Sequence, residues 1–175
     1  MYRTLLLLPL LLGAACVEAK DGPVGKAQAQ GAPIAAVSFR ISSWGRPIDS
    51  WEVRADGAAS HVTMVSDEGA PFQTYRLEHR EFTITADDFA RVVTMAGKLP
   101  QPRLSRDDCE QRATDMPYGA LELERGGANE EITFDVGCRD ERYQVFVDQL
   151  HAMDELVTGW AKPHAPVRIE QVGGG

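Results

Sequence analysis

The sequence predicts an α+β domain, a single and mostly antiparallel sheet of about six strands with two helices packed on one face. Two observations carry this. Segments alternating apolar and polar residues at strand period are interrupted by two stretches with apolar residues at helical spacing, in the order ββββα–ββα. Each strand-to-strand link is also short and rich in turn formers, so neighbouring strands join as hairpins.

In the first strand Val37, Phe39 and Ile41 alternate with Ser38, Arg40 and Ser42. Trp51-Glu52-Val53-Arg54 alternates likewise, and Asp56-Gly57 is a hairpin turn leading to a third strand from Ser60 to Val65. A two-residue turn at Asp56-Gly57 would pair Val53 with Ser60 and Trp51 with Val62, placing Trp51, Val53, Val62 and Met64 on the core face. Setting Ile41 opposite Val53 adds the first strand to that face and makes Gly45 to Asp49, around Pro47, the first loop. A fourth strand is expected from Phe72 to Glu78, after the turn Asp67-Glu68-Gly69-Ala70-Pro71.

The period then changes. Thr85 is an N-cap candidate with Asp88 three residues on, and Phe89, Val92, Val93 and Ala96 follow at helical spacing until Gly97 and Pro100 end the run. Beyond a polar loop holding Cys109, Leu121 and Leu123 mark one strand and Ile132, Phe134 and Val136 another, joined by Gly126-Gly127-Ala128-Asn129. Pairing Leu121 with Phe134 and Leu123 with Ile132 keeps one apolar face. Tyr143, Phe146, Val147, Leu150, Met153 and Val157 then form the stripe of a last helix.

The termini read differently. Met1-Tyr2-Arg3, the apolar run Leu5 to Leu12 and the small residues Gly13, Ala14 and Ala15 have the layout of a secretory signal, with too short an apolar run to span a bilayer. Two cleavage points compete. Val17-Glu18-Ala19 suits a cut after Ala19, whereas Leu12-Gly13-Ala14-Ala15-Cys16 resembles a bacterial lipobox, with Gly13 where Leu is usual. Either removes Cys16 from the count of free thiols, by lipidation or by cleavage, and leaves Cys109 and Cys138 as a pair. Lipidation of Cys16 is the reading adopted. An exported pair then forms a disulfide, since neither a CxxC spacing nor a nearby His suggests a reactive or metal-binding role.

The expected organisation is therefore a signal over residues 1–15 (alternatively 1–19), a flexible tether over 16–34, a globular domain over 35–161 and a flexible tail over 162–175. As a random coil the stretch from Lys20 to Pro33 would reach roughly 20 Å, enough to hold a domain clear of a lipid surface. Without residues 1–15 the chain loses one of its 18 basic residues and none of its 26 acidic ones, leaving a net charge of −9 that disfavours nucleic-acid binding.

Several local pieces carry a resemblance: Gly45-Arg46-Pro47, Asp56-Gly57 and Thr114-Asp115-Met116-Pro117, set in the order of elements above. They resemble a group of uncharacterised bacterial envelope domains with a Gly-x-Pro hairpin loop, an Asp-Gly turn and a Thr-Asp-x-Pro segment before the last hairpin. The resemblance covers most of residues 36–160 and implies a fold and a compartment, with no reaction attached.

Motifs for catalysis, phosphate binding or a cofactor are absent: there is no G-x-S-x-G, H-E-x-x-H, phosphate-binding Gly-rich loop or EF-hand spacing. In the registers above His61 faces Glu52 on the outer side of the sheet, as a surface cross-strand pair, and His151 flanks the last helical stripe. The acidic run Asp107-Asp108-Cys109-Glu110 reads as a solvated loop beside a disulfide rather than a Ca²⁺ site, and Asp115 reads as a turn former.

Trp44 has two readings: covered by the Cys109 loop or the termini, which is favoured, or exposed with Arg46 at a hairpin tip, the residue types of a partner contact. The expectation is a non-catalytic envelope domain that binds a protein or cell-wall component through Trp44 and Arg46 and is held to a membrane by its N-terminal lipid. The alternative is a periplasmic hydrolase pairing Asp115 with a carboxylate of the Cys109 loop.

Overall fold

The computed structural model describes residues 31–66 and 74–173. The expected signal, Cys16 and most of the tether lie outside the described residues, as do the turn after the third strand and Phe72 and Gln73 of the expected fourth strand. Among the described residues no helix is long and apolar enough to cross a membrane.

Seven strands and two helices are present: β1 (Ile34–Ser43), β2 (Arg46–Arg54), β3 (Ala58–Ser66), β4 (Tyr75–Thr83), α1 (Ala86–Gly97), β5 (Tyr118–Arg125), β6 (Ala128–Asp135), α2 (Glu141–Ala161) and β7 (Arg168–Val172). All pairings are antiparallel, in one sheet of order β6-β5-β1-β2-β3-β4-β7. The α+β class stands, with seven strands in place of the expected six. The additional strand, β7, lies in the segment read as a flexible tail. It escapes a pattern search because it is five residues long and mostly exposed, and because it pairs with β4 through backbone and through Arg168 beside His79.

Connectivity explains the length of α2. The chain leaves β6 at one edge of the sheet and re-enters as β7 at the other, about 29 Å away for six inter-strand steps. The 21 residues of α2 rise about 31 Å, which matches that width. Its stripe of Tyr143, Phe146, Val147, Leu150, Met153 and Val157 is buried against the sheet as the spacing predicts. α1 packs beside it on β1. The capping box at its start is complete: the Thr85 hydroxyl accepts from the Asp88 N–H, and the Asp88 carboxylate accepts from the Thr85 N–H. Among the described residues no helix covers the opposite sheet face, where Arg40 bridges Glu122 and Glu131.

Three hairpin registers differ from the expected ones, with unequal consequences. At Asp56-Gly57 the loop has three residues, Ala55 to Gly57, because Val53 pairs with Ala59 and Trp51 with His61. The Asp56 carboxylate accepts from the Ala58 N–H, and Gly57 adopts a positive φ of 90°. One added residue reverses every β3 side chain. His61 therefore lies on the core face, and Val62 and Met64 belong to the outer face. In the last hairpin the turn is the two-residue Gly126-Gly127, so Leu121 pairs with Ile132 and Gly119 with Phe134. That shift is even, and the face is preserved. The first hairpin closes at Trp44-Gly45 instead of over Gly45 to Asp49, and Phe39 faces Trp51.

The core is organised around Phe39, whose ring stacks on Trp51 at 5.6 Å and on Phe134 at 5.5 Å. Phe134 reaches Phe39 across β5 because Gly119 leaves room. A Cβ there would lie 2.6 Å from the Phe134 ring and 2.0 Å from the Arg40 carbonyl oxygen. β4 also runs further than expected, to Thr83, which brings Phe82 into the core.

Candidate functional site

The polar loop before β5 is bound tightly to the end of β6. Ser105 and Asp108 cap a short 3-10 turn over Arg106–Asp108, and Cys109 then bonds Cys138, with Cα atoms 5.7 Å apart. Beyond the disulfide, Arg112 bridges Cys138, and the Ala113 N–H donates to the Gly137 carbonyl at 2.8 Å. Gly137 permits that approach, since a Cβ would meet the Ala113 oxygen at 2.6 Å. The expected disulfide is thus formed, and it fixes this loop, with its short 3-10 turn, against the sheet.

At the centre of this junction is Asp135, only 3% exposed. Its Oδ1 accepts from the Gly137 N–H at 2.9 Å. Its Oδ2 is approached by Arg106 Nε at 3.3 Å and Arg112 Nε at 3.2 Å. One buried carboxylate therefore holds two part-exposed guanidinium groups. The Arg106 guanidinium also lies 5.0 Å from the centre of the Tyr118 ring. The Tyr118 hydroxyl accepts from the Gly45 N–H at 3.2 Å, tying this loop to the tip of the first hairpin.

Trp44 occupies that tip. It is 71% exposed, so the favoured expectation that the Cys109 loop or the termini cover it is corrected. Its φ of 54° and the 74° of Gly45 make a two-residue turn with both central residues left-handed. The second non-glycine residue with a positive φ, Asp115 at 65°, lines the same recess. That recess has a volume of about 310 Å³ and is walled by Trp44, Arg106, Arg112, Asp115, Met116 and Tyr118. Arg46 is not among its lining residues and lies half-buried opposite Ser43 at the start of β2. The cations next to Trp44 in space are Arg106 and Arg112, which no local spacing pattern singles out.

The carboxylates suggested for acid–base chemistry are not brought into one recess. Asp108 and Glu110 line a separate hollow of about 580 Å³ with Asp140 and Arg139, whereas Asp115 lines the recess at Trp44. Hydrogen bonds from Ser105 hold the Asp108 carboxyl below the usual carboxylate range, the opposite of what a general acid needs. Among the described residues one group has the spacing of a metal site, Cys109, Cys138 and Asp140, but its two sulfurs are bonded to each other.

A buried polar cluster lies where the reversed face of β3 meets α2. His61, 3% exposed, has Nε2 2.9 Å from Asp49 Oδ1 and 3.3 Å from Thr158 Oγ1. Nearby, Trp51 Nε1 donates to Asp154 Oδ1 at 3.0 Å. Burial, followed by the Asp49 charge, pushes the Asp154 carboxyl up to about 6. A nucleophile relay needs one imidazole nitrogen facing the base's carboxylate and the other facing the nucleophile. Here both groups face Nε2, and Nδ1 has no partner among the described residues. The cluster is a helix–sheet contact. The signal that could have revealed it is the Asp-Gly turn, which closes three-residue hairpins as well as two-residue ones.

No protein-family model matches the chain, and a search of curated proteins finds no match.

Proposed function

We propose that this chain is an exported envelope protein, tethered to a membrane through a lipid on Cys16, whose domain binds a protein or cell-wall partner without catalysis. The leader, the length of the tether and the Cys109–Cys138 disulfide support the compartment. The resemblance of the Gly-x-Pro, Asp-Gly and Thr-Asp-x-Pro pieces to envelope domains points the same way. The observation that carries the binding reading is Trp44. It is a large aromatic side chain, held out to solvent on a left-handed turn and beside two arginines fixed by a buried carboxylate. Exposed Trp, Tyr and Arg grouped around a recess are the residue types that dominate binding energy at interfaces.

The test is affinity purification from intact envelopes of the native chain and of Trp44→Ala, with mass spectrometry of the co-purified partners and of the mature N-terminus. The proposal expects a lipid-modified N-terminal Cys16 and a partner lost from the variant. An N-terminus at Lys20 removes the tether, and a partner set unchanged by Trp44→Ala removes the site.

A further inference from the structure

We infer that the recess at Trp44 is a carboxylate-binding site for the C-terminal end of a peptide whose last residue is apolar. The inference rests on the binding reading above and assigns its ligand class.

The two guanidinium groups are placed before any ligand arrives. Arg106 and Arg112 both turn Nε towards the buried Oδ2 of Asp135. Arg112 Nη2 also donates to the Arg106 carbonyl oxygen. Among the described residues, both terminal nitrogens of Arg106 and Nη1 of Arg112 have no acceptor. Two positive charges thus offset the carboxylates of Asp135 and Asp115, so the recess carries no net negative charge in a chain whose net charge is −8. Planar guanidinium donors with free terminal N–H groups match the paired oxygens of a carboxylate.

The remaining walls narrow the ligand. Trp44 and Met116 are exposed apolar surfaces on the same recess and suit an apolar side chain next to the carboxylate. Asp115 lines the recess as well, and among the described residues its carboxylate is in ion-pair contact with neither arginine. An acceptor at that position suits the amide N–H that precedes a peptide's terminal carboxylate. Its charge opposes a dianionic phosphate more than a singly charged carboxylate. The arginines supply an anion site, Asp115 an N–H acceptor, and Trp44 with Met116 the apolar contact.

The test uses the full purified chain with its disulfide intact and follows the backbone amide signals of Thr114 and Met116, which line the recess, by NMR. It is titrated in parallel with N-acetyl-L-phenylalanine, its C-terminal amide, 3-phenylpropionate and inorganic phosphate. Loss of charge-assisted bonds predicts that the amide binds about tenfold more weakly than the acid or worse. 3-Phenylpropionate, which lacks the amide N–H, should fall between them. Arg112→Gln should remove the preference for acid over amide, and Trp44→Ala, at an exposed position, should weaken the acid while leaving the fold intact. Arg91→Gln, on α1, should change nothing. Equal binding of acid and amide, or phosphate binding as tightly as the acid, overturns the inference. If the envelope partner is still lost in Trp44→Ala, the binding reading stands and only the ligand class falls. If the partner is unaffected as well, both fall.

Discussion

Replacing Asp154 by Asn should stabilise the domain at pH 8 and not at pH 4. In the folded state the Asp154 carboxyl is raised from the ordinary 3.8 to about 6, first by burial between α2 and the sheet and then by the Asp49 charge. The Glu155 charge adds to the shift, while the Trp51 N–H and His61 oppose it. A carboxyl that holds its proton more tightly folded than unfolded contributes stability below its unfolded value. That contribution is lost as pH rises through about 6. The gap between the two values corresponds to about 3 kcal/mol, and because Asp154 is part-exposed, solvent screening reduces this to about 1–2 kcal/mol. The amide of Asn keeps an oxygen for the Trp51 indole N–H and never ionises. Urea unfolding of both proteins at pH 4, 6 and 8, with the disulfide intact, gives the comparison. The stability difference should grow in favour of Asp154→Asn by about 1–2 kcal/mol between pH 4 and 8, most of it by pH 6 and levelling off above. A difference that is flat with pH, or that favours the native protein at pH 8, would mean that burial does not raise the Asp154 carboxyl.

Three further outcomes follow from the packing. Trp44→Asn puts a residue suited to left-handed backbone before Gly45, so unfolding free energy should rise by about 0.5–1 kcal/mol while partner capture is lost. A drop in stability would mean that the Trp44 ring packs on the fold. Gly119→Ala drives a Cβ into the Arg40 carbonyl and the Phe134 ring and should destabilise by about 2 kcal/mol or more, read as a lower urea midpoint. Substituting Cys109 and Cys138 together by Ser opens a loop of sequence separation 29 and should lower stability by roughly 3–4 kcal/mol in the chain-entropy model. It should also weaken binding at Trp44, because the loop carrying Arg106 and Arg112 loses its brace.

Long periodic elements were legible and tertiary closures were not. The stripe of α2 and the Thr85–Asp88 box of α1 are local patterns whose signal lies within a few residues, and both occur as expected. Sheet faces depend on the parity of a turn. The even shift at Gly126-Gly127 left Leu121 and Leu123 in the core, while one extra residue at Asp56-Gly57 put His61 inside and Val62 outside. β7 has little apolar surface of its own and exists because β4 offers it an edge. At the candidate site the disulfide followed from cysteine parity and the compartment, and Trp44 was recognisable as an unusual residue at a turn. Its neighbours were not. Arg46 is two residues away in sequence, but the disulfide folds a distant loop back so that Arg106 and Arg112 line the recess instead.

The central claim, that the hairpin tip contacts a partner in the envelope, is tested most directly by a photo-crosslinking residue placed at position 44 in intact cells. A second placed at position 91 on α1 serves as the control. A discrete crosslinked adduct is expected from position 44, absent from position 91 and diminished when Arg112→Gln is added. Equal adducts from both positions, or none from position 44 in a correctly exported and folded chain, would contradict the claim.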